Sequence, residues 1–217
     1  MVKNLLNPLY VCAFIALLVL GSILHLMYAS CQTSKYHHIV QRYYLPSWAV
    51  FECSPIDYTG VWKGWHRNGV LSYKGNFING KEEGNSLFFH DDGKIDLSFN
   101  FKNGIKIGTQ TTYYHNGNKH MEHIYDDSGH LLHYTNWWNN GNKSLVQDFS
   151  SKGEVLKTWY HNGDIREINN FVKGKYFMIK WNQDGTLNKK TYYDTKGKFL
   201  KRELFEKGKL VKTEVDE

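Results

Sequence analysis

Two hydrophobic patterns divide the chain. The first is continuous. From Leu9 to Ala29 no residue is charged except the titratable His25, and those 21 residues are enough, at about 1.5 Å per residue, to cross a hydrocarbon layer of ~30 Å as a helix. The second is broken into short runs. Aromatic pairs lead repeatedly into a polar corner: Trp65-His66-Arg67-Asn68-Gly69, Phe88-Phe89-His90-Asp91-Asp92-Gly93, Tyr113-Tyr114-His115-Asn116-Gly117, Trp137-Trp138-Asn139-Asn140-Gly141 and Trp159-Tyr160-His161-Asn162-Gly163. Asn-Gly or Asp-Gly beside aromatic residues signals a tight β-hairpin. The expected turn is type I′, with positive φ at both central residues.

The corners are periodic. One series of turn glycines is Gly69, Gly93, Gly117, Gly141, Gly163, Gly185 and Gly208, with steps of 22 to 24 residues. A second series lies between them: Gly80, Gly104, Gly129, Gly153, Gly174 and Gly197. One corner therefore follows another after 10 to 13 residues, which leaves strands of about 7 to 9 residues. Corners so close together exclude helices of useful length. Short connections make successive strands antiparallel neighbours. The expected fold is all-β, an elongated antiparallel meander of about a dozen strands in stacked hairpins, preceded by a transmembrane or signal helix.

Within this frame Tyr73, Gly75, Phe77, Gly80 and Gly84 follow the order Tyr-x-Gly-x-aromatic-x-x-Gly-x-x-x-Gly. This stretch resembles a MORN repeat, with Ser86 where that family usually has another glycine. Leu97, Phe99, Phe101, Gly104 and Gly108 repeat the frame 24 residues later. From Tyr58 to about Leu210 the chain is similar to degenerate MORN-variant repeats of bacterial proteins, which are often labelled antitoxin-like. The resemblance implies a single-layer β-sheet of hairpins used for scaffolding and binding. It brings no catalytic residues.

The reading divides the chain into an anchor or signal segment at 1–31, a linker and cap at 32–56, repeats at 57–212 and an acidic tail at 213–217. Between Pro46 and Pro55, the stretch Ser47 to Ser54 is expected as an edge strand or cap. Three readings of the leading segment compete. It is an uncleaved anchor, a cleaved secretory signal with a thin charged region at Lys3, or a lipoprotein signal. The last rests on Ala29-Ser30-Cys31, which matches the end of a lipobox, although Tyr28 stands where a branched aliphatic residue is usual. It makes Cys31 the lipidation candidate. Lys3 before the segment and Lys35 and Arg42 after it leave the charge bias undecided. All three readings put the protein at or beyond the cytoplasmic membrane, in the cell envelope.

Composition sharpens little else. Only three prolines occur, and none from Ile56 onward, so every backbone N–H there is free for a sheet ladder. Net charge is +6. Lys173 to Lys212 holds 12 basic against 4 acidic residues, but Lys alternates with aromatics as a solvated sheet face demands. No nucleic-acid partner is expected. Of three cysteines, Cys12 lies in the apolar segment, so only Cys31 and Cys53 could pair.

Candidate chemistry is sparse. No nucleophile elbow, phosphate loop, dinucleotide fingerprint or HExxH is present. Asp91-Asp92 and Asp126-Asp127 fall at corners, where carboxylates serve local backbone hydrogen bonds. A corner near Ser128 would set His123 opposite His133 as half of a metal site, with no third ligand in view. No metal, cofactor or catalytic residue is therefore assigned. The better candidates are aromatic: Trp62, Trp65, Tyr114, Trp138, Tyr160, Trp181 and Tyr193, at comparable distances from their corners, would form a ladder. A single-layer sheet cannot bury both faces, so such a row could grip a partner. The expectation is a non-enzymatic, membrane-tethered repeat protein that presents a β-surface to a protein partner. The alternatives are an antitoxin or immunity protein, or a cell-wall glycan-binding or hydrolytic domain.

Overall fold

The computed structural model describes residues 7–29, 31–46, 57–149, 155–172 and 175–216. The chain divides into two compact units, Met1–Gly93 and Lys94–Glu217.

The first unit begins with α1 (Pro8–Tyr28). Asn7 caps it by accepting the Leu9 N–H at 3.0 Å, and Pro8 starts it where a missing N–H costs nothing. Its stretch Pro8–Met27 has mean hydropathy 2.4 and is not buried, so it is long and apolar enough to cross a membrane. A second helix, α2 (Lys35–Tyr43), occupies what the sequence presents as linker. Three contacts fix it. Gln41, 3% exposed, donates from Nε2 to the carbonyls of Leu26 at 2.7 Å and Ala29 at 2.9 Å, which caps the open end of α1. The His38 ring lies 5.5 Å from that of Trp65. Tyr43 donates its hydroxyl to the Trp65 carbonyl at 3.2 Å. The edge strand or cap expected at Ser47 to Ser54 lies outside the described residues.

The unit continues with β1 (Gly60–Trp65), β2 (Leu71–Ile78), β3 (Lys81–Glu82) and β4 (Gly84–Phe89). The order is β1-β2-β4, with the stub β3 also on β2. Here the MORN-like residues meet. Tyr73 donates to Glu82 Oε1 at 2.8 Å, and Ser86 donates to the same oxygen at 2.9 Å. Burial, reinforced by the Glu82 carboxylate, pushes the Tyr73 phenol well above its ordinary pKa. Gly75 lies under that ring, where an added Cβ would fall 2.0 Å from the Tyr73 oxygen.

The second unit holds β5 (Ile95–Lys102), β6 (Ile105–Lys106), β7 (Gly108–Tyr113), β8 (Lys119–Tyr125), β9 (Leu131–Trp137), β10 (Lys143–Asp148), β11 (Val155–Trp159), β12 (Ile165–Val172), β13 (Lys175–Trp181), β14 (Leu187–Tyr193), β15 (Phe199–Glu206) and β16 (Lys209–Val215). The path runs β5-β7 and then in sequence order to β16, with β6 on β5. Each unit is thus an open antiparallel meander, as expected. The last strand runs to Val215, into the segment expected as an acidic tail.

Buried side chains are few among the described residues, and many are polar: Ser86, Gln110, Thr111, Thr135 and Thr191 join Trp65, Phe77 and Phe101. Gln110 is 2% exposed. It accepts the Asn100 N–H and donates to the carbonyls of Asn100 and Ile107 at 2.7–3.1 Å, which satisfies its amide. The sheet is held by its ladders and corners more than by an apolar core.

Candidate binding surface at the corners

The corners differ from the expected type I′ form. At Tyr114-His115-Asn116-Gly117, the Gly117 N–H donates to the Tyr114 carbonyl and the Tyr114 N–H donates to the Asn118 carbonyl, both at 2.8 Å. Gly117 has φ +88°, but Asn116 is not among the positive-φ residues. This is a type I turn closed by a glycine bulge. The reason is Asn116 itself: its Oδ1 accepts the Asn118 N–H at 3.0 Å and holds its own backbone in the ordinary region. True two-residue corners occur at Asn79-Gly80, Asn103-Gly104 and Lys207-Gly208, where both residues have positive φ. Gly208, which counting assigns to the first series, therefore has the other turn chemistry.

The corner asparagine has a second function that its spacing did not reveal. Nδ2 of Asn68 donates to the Asp91 carbonyl at 2.8 Å, that of Asn116 to Asn139 at 2.7 Å, and that of Asn140 to His161 at 2.8 Å. Each amide ties one corner to the next on the same edge. Asp92 takes this place in the second corner and has no amide to donate. There Lys94 Nζ donates to the His115 carbonyl at 3.1 Å. The residue that opens the corner makes a parallel tie. Tyr114 donates its hydroxyl to the Trp137 carbonyl at 2.8 Å, and Tyr160 to the Trp181 carbonyl at 2.9 Å.

Strand register slips by one residue beside these corners. Thr112 pairs with Met121 but Tyr113 with Lys119, so His120 is extra and its ring lies on Tyr114 at 4.3 Å. Asn136 pairs with Leu145 but Trp137 with Lys143, which leaves Ser144 extra. Thr158 pairs with Glu167 but Trp159 with Ile165. The extra Arg166 sits 5.9 Å from the Tyr160 ring centre. Such bulges re-aim side chains. Here they open a groove of about 360 Å³ lined by Tyr114, His120, Trp137, Trp138, Trp159 and Arg166 over Asn136, Ser144, Leu145 and Thr158.

Two of the seven expected aromatics, Tyr114 and Trp138, lie in this groove, and Trp138 is 36% exposed. Tyr160 lies beside it under Arg166. The others are elsewhere. Trp62 packs on Tyr58 and Phe77 at 5.4 and 5.9 Å, and Trp65 is buried at 8% exposure. Trp181 closes β13 and supplies the carbonyl that Tyr160 uses. Tyr193 packs on Tyr176 at 5.1 Å. The seven do not share one place in the repeat: Tyr114, Trp138 and Tyr160 open their corners, whereas Trp65, Trp181 and Tyr193 each stand one residue before the residue that does. Trp137, Trp159 and Arg166 were not anticipated. Their signal is positional: His120, Ser144 and Arg166 each stand three residues after a turn glycine.

The histidine pairing also differs from expectation. Tyr134, not His133, stands opposite His123, and the two rings stack at 4.7 Å. His133 faces Ile124. No group of three or more His, Cys, Asp or Glu side chains suited to a metal occurs among the described residues. On the opposite edge Asp126 accepts the N–H groups of Ser128 and His130 at 2.8 and 2.9 Å. The His130 N–H above all holds that carboxyl below its ordinary pKa. These are the local backbone bonds expected of a turn carboxylate. Cys31 is disulfide-bonded and buried at 4% exposure, whereas Cys12 is free. A sulfur so engaged carries no lipid, which removes the structural basis for the lipoprotein reading. Cys53, its expected partner, lies outside the described residues.

A model of the MORN repeat variant family matches residues 58–79, 82–103 and 106–127. Each match spans one corner with the strands that flank it. Residues 58–127 carry three MORN-variant repeats. A comparison with curated proteins gives no match. The groove lies largely beyond the matched segments, at the corners of Trp138 and Tyr160. Those corners keep the same asparagine tie and the same slip, so the repeat geometry continues where the sequence pattern fades.

Proposed function

We propose that this protein is a non-enzymatic, membrane-tethered scaffold whose groove around Trp138 receives a protein partner on the non-cytoplasmic side of the cell envelope. The groove is the observation that carries the reading. Indole rings and a guanidinium gathered on exposed sheet are the residue types that dominate protein interfaces. Its walls are preset by bulges and corner ties, so little ordering is needed on binding. MORN repeats bring no catalytic residues, and the groove has no pair of carboxylates.

Tethering is supported by α1. A leader removed on export would take with it the carbonyls of Leu26 and Ala29 that Gln41 caps. The fold of α2 therefore favours an anchor that stays. The disulfide at Cys31 favours the oxidising side of the membrane. The test is capture of envelope proteins on the full chain in detergent. Wild type should retain a partner that Trp138→Ala with Trp159→Ala loses. Identical retention by both proteins would refute the reading.

A further inference from the structure

We propose that His25 and His37 form a binding site for a divalent transition-metal ion at the junction of α1 and α2. The two imidazoles meet edge to face, with ring centres 4.9 Å apart and their Nε2 atoms 3.2 Å apart. The gap between them holds either one shared proton on this line or an ion set to one side of it and bound by both lone pairs. With metal–nitrogen bonds of about 2.0–2.1 Å, nitrogens at this separation subtend about 100° at the ion, close to a tetrahedral angle.

The placement does not depend on the histidines alone. Gln41 fastens α2 to the end of α1 through two hydrogen bonds. Ser34 caps α2 by accepting the His37 N–H at 3.4 Å. The Tyr36 ring packs 5.6 Å from His37. His25 also stands in the last turn of α1, where the partial negative charge of a helix end favours a cation. Imidazole donors with no carboxylate in the set suit Zn²⁺, Cu²⁺ or Ni²⁺ and not Mg²⁺ or Ca²⁺. Cys31 is not available as a thiolate, because it is disulfide-bonded. Two protein ligands leave the remaining positions to water or an outside donor. The bound ion would clamp α2 to the membrane helix. Through the contacts of His38 and Tyr43 with Trp65, it would stiffen the join between anchor and first repeat.

The test is equilibrium dialysis of Zn²⁺, with Mg²⁺ as comparison, on the full chain in detergent micelles. Wild type should bind one Zn²⁺ per chain. His25→Phe and His37→Phe, which keep a packed ring, should each weaken it by at least about tenfold, since loss of even an outer-sphere partner costs that much. His115→Phe should have no effect, and Mg²⁺ should not bind. X-ray absorption on Zn²⁺-loaded wild type, which needs no variant, should show two imidazole nitrogens. Binding that survives both substitutions, or absorption spectra without two imidazoles, would overturn the proposal.

Discussion

Asn140 joins its own corner to the next: its Nδ2 donates to the His161 carbonyl at 2.8 Å while its Oδ1 accepts the Asn142 N–H at 3.0 Å. One side chain thus shapes a turn and sets the spacing between repeats. Asn140→Asp keeps the acceptor and removes the donor. It should cost about 1 kcal/mol, the net worth of one hydrogen bond, and Asn140→Ala should cost more because both functions go. Urea unfolding checks this; an Asn140→Asp variant as stable as wild type would mean that the tie between corners contributes nothing.

Gly75 tests the packing of the first repeat. An added Cβ meets the Tyr73 oxygen at 2.0 Å and Ser86 Oγ at 2.8 Å. Gly75→Ala should destabilise by about 1–3 kcal/mol, as overpacking does. Tyr73→Phe removes the nearest atom, so the double variant should lose less than the sum of the two single losses. A double-mutant cycle in denaturant measures the coupling. Simple additivity would contradict the packing described.

His123 gives the fold a pH dependence of known sign. Burial first, then the nearby Lys106 charge, lowers its pKa from the ordinary 6.5. The unfolded chain therefore takes up the proton more readily than the folded one. This contribution is fully present above the unfolded value and is lost as pH falls through the folded one. Thermal melts at pH 7.5 and 5 should show a smaller drop for His123→Phe, which keeps the stack on Tyr134, than for wild type. An equal drop would show that His123 is not the group responsible.

Cys31 separates a disulfide-bonded chain from a lipidated one. The disulfide predicts one titratable thiol before reduction and three after it, because the chain has three cysteines and Cys12 is free. Labelled fatty acid should not enter the protein. Label that appears in wild type and vanishes in Cys31→Ala would reinstate the lipoprotein reading.

The apolar span and the corner spacing were legible because each rests on a plain physical need: twenty-odd uncharged residues in a row for a span, and at each corner a glycine that takes the positive φ. The slip beside each corner was not. His120, Ser144 and Arg166 share no chemistry, only an offset from a glycine, so no residue type marks the bulge that builds the groove. Trp137 and Trp159 read as strand ends for the same reason. α2 escaped because its nine residues are held by tertiary contacts, Gln41 to α1 and His38 to Trp65, and not by a long apolar period of their own.

If the groove at Trp138 is the face this protein shows its partner, photocrosslinking in the native membrane should reveal it. A benzophenone amino acid replaces Trp138 in one full-length chain and Asp127, on the opposite edge, in another. Position 138 should give one discrete adduct, abolished by Trp159→Ala, and position 127 none. No adduct from 138, or the same adducts from both positions, would contradict it.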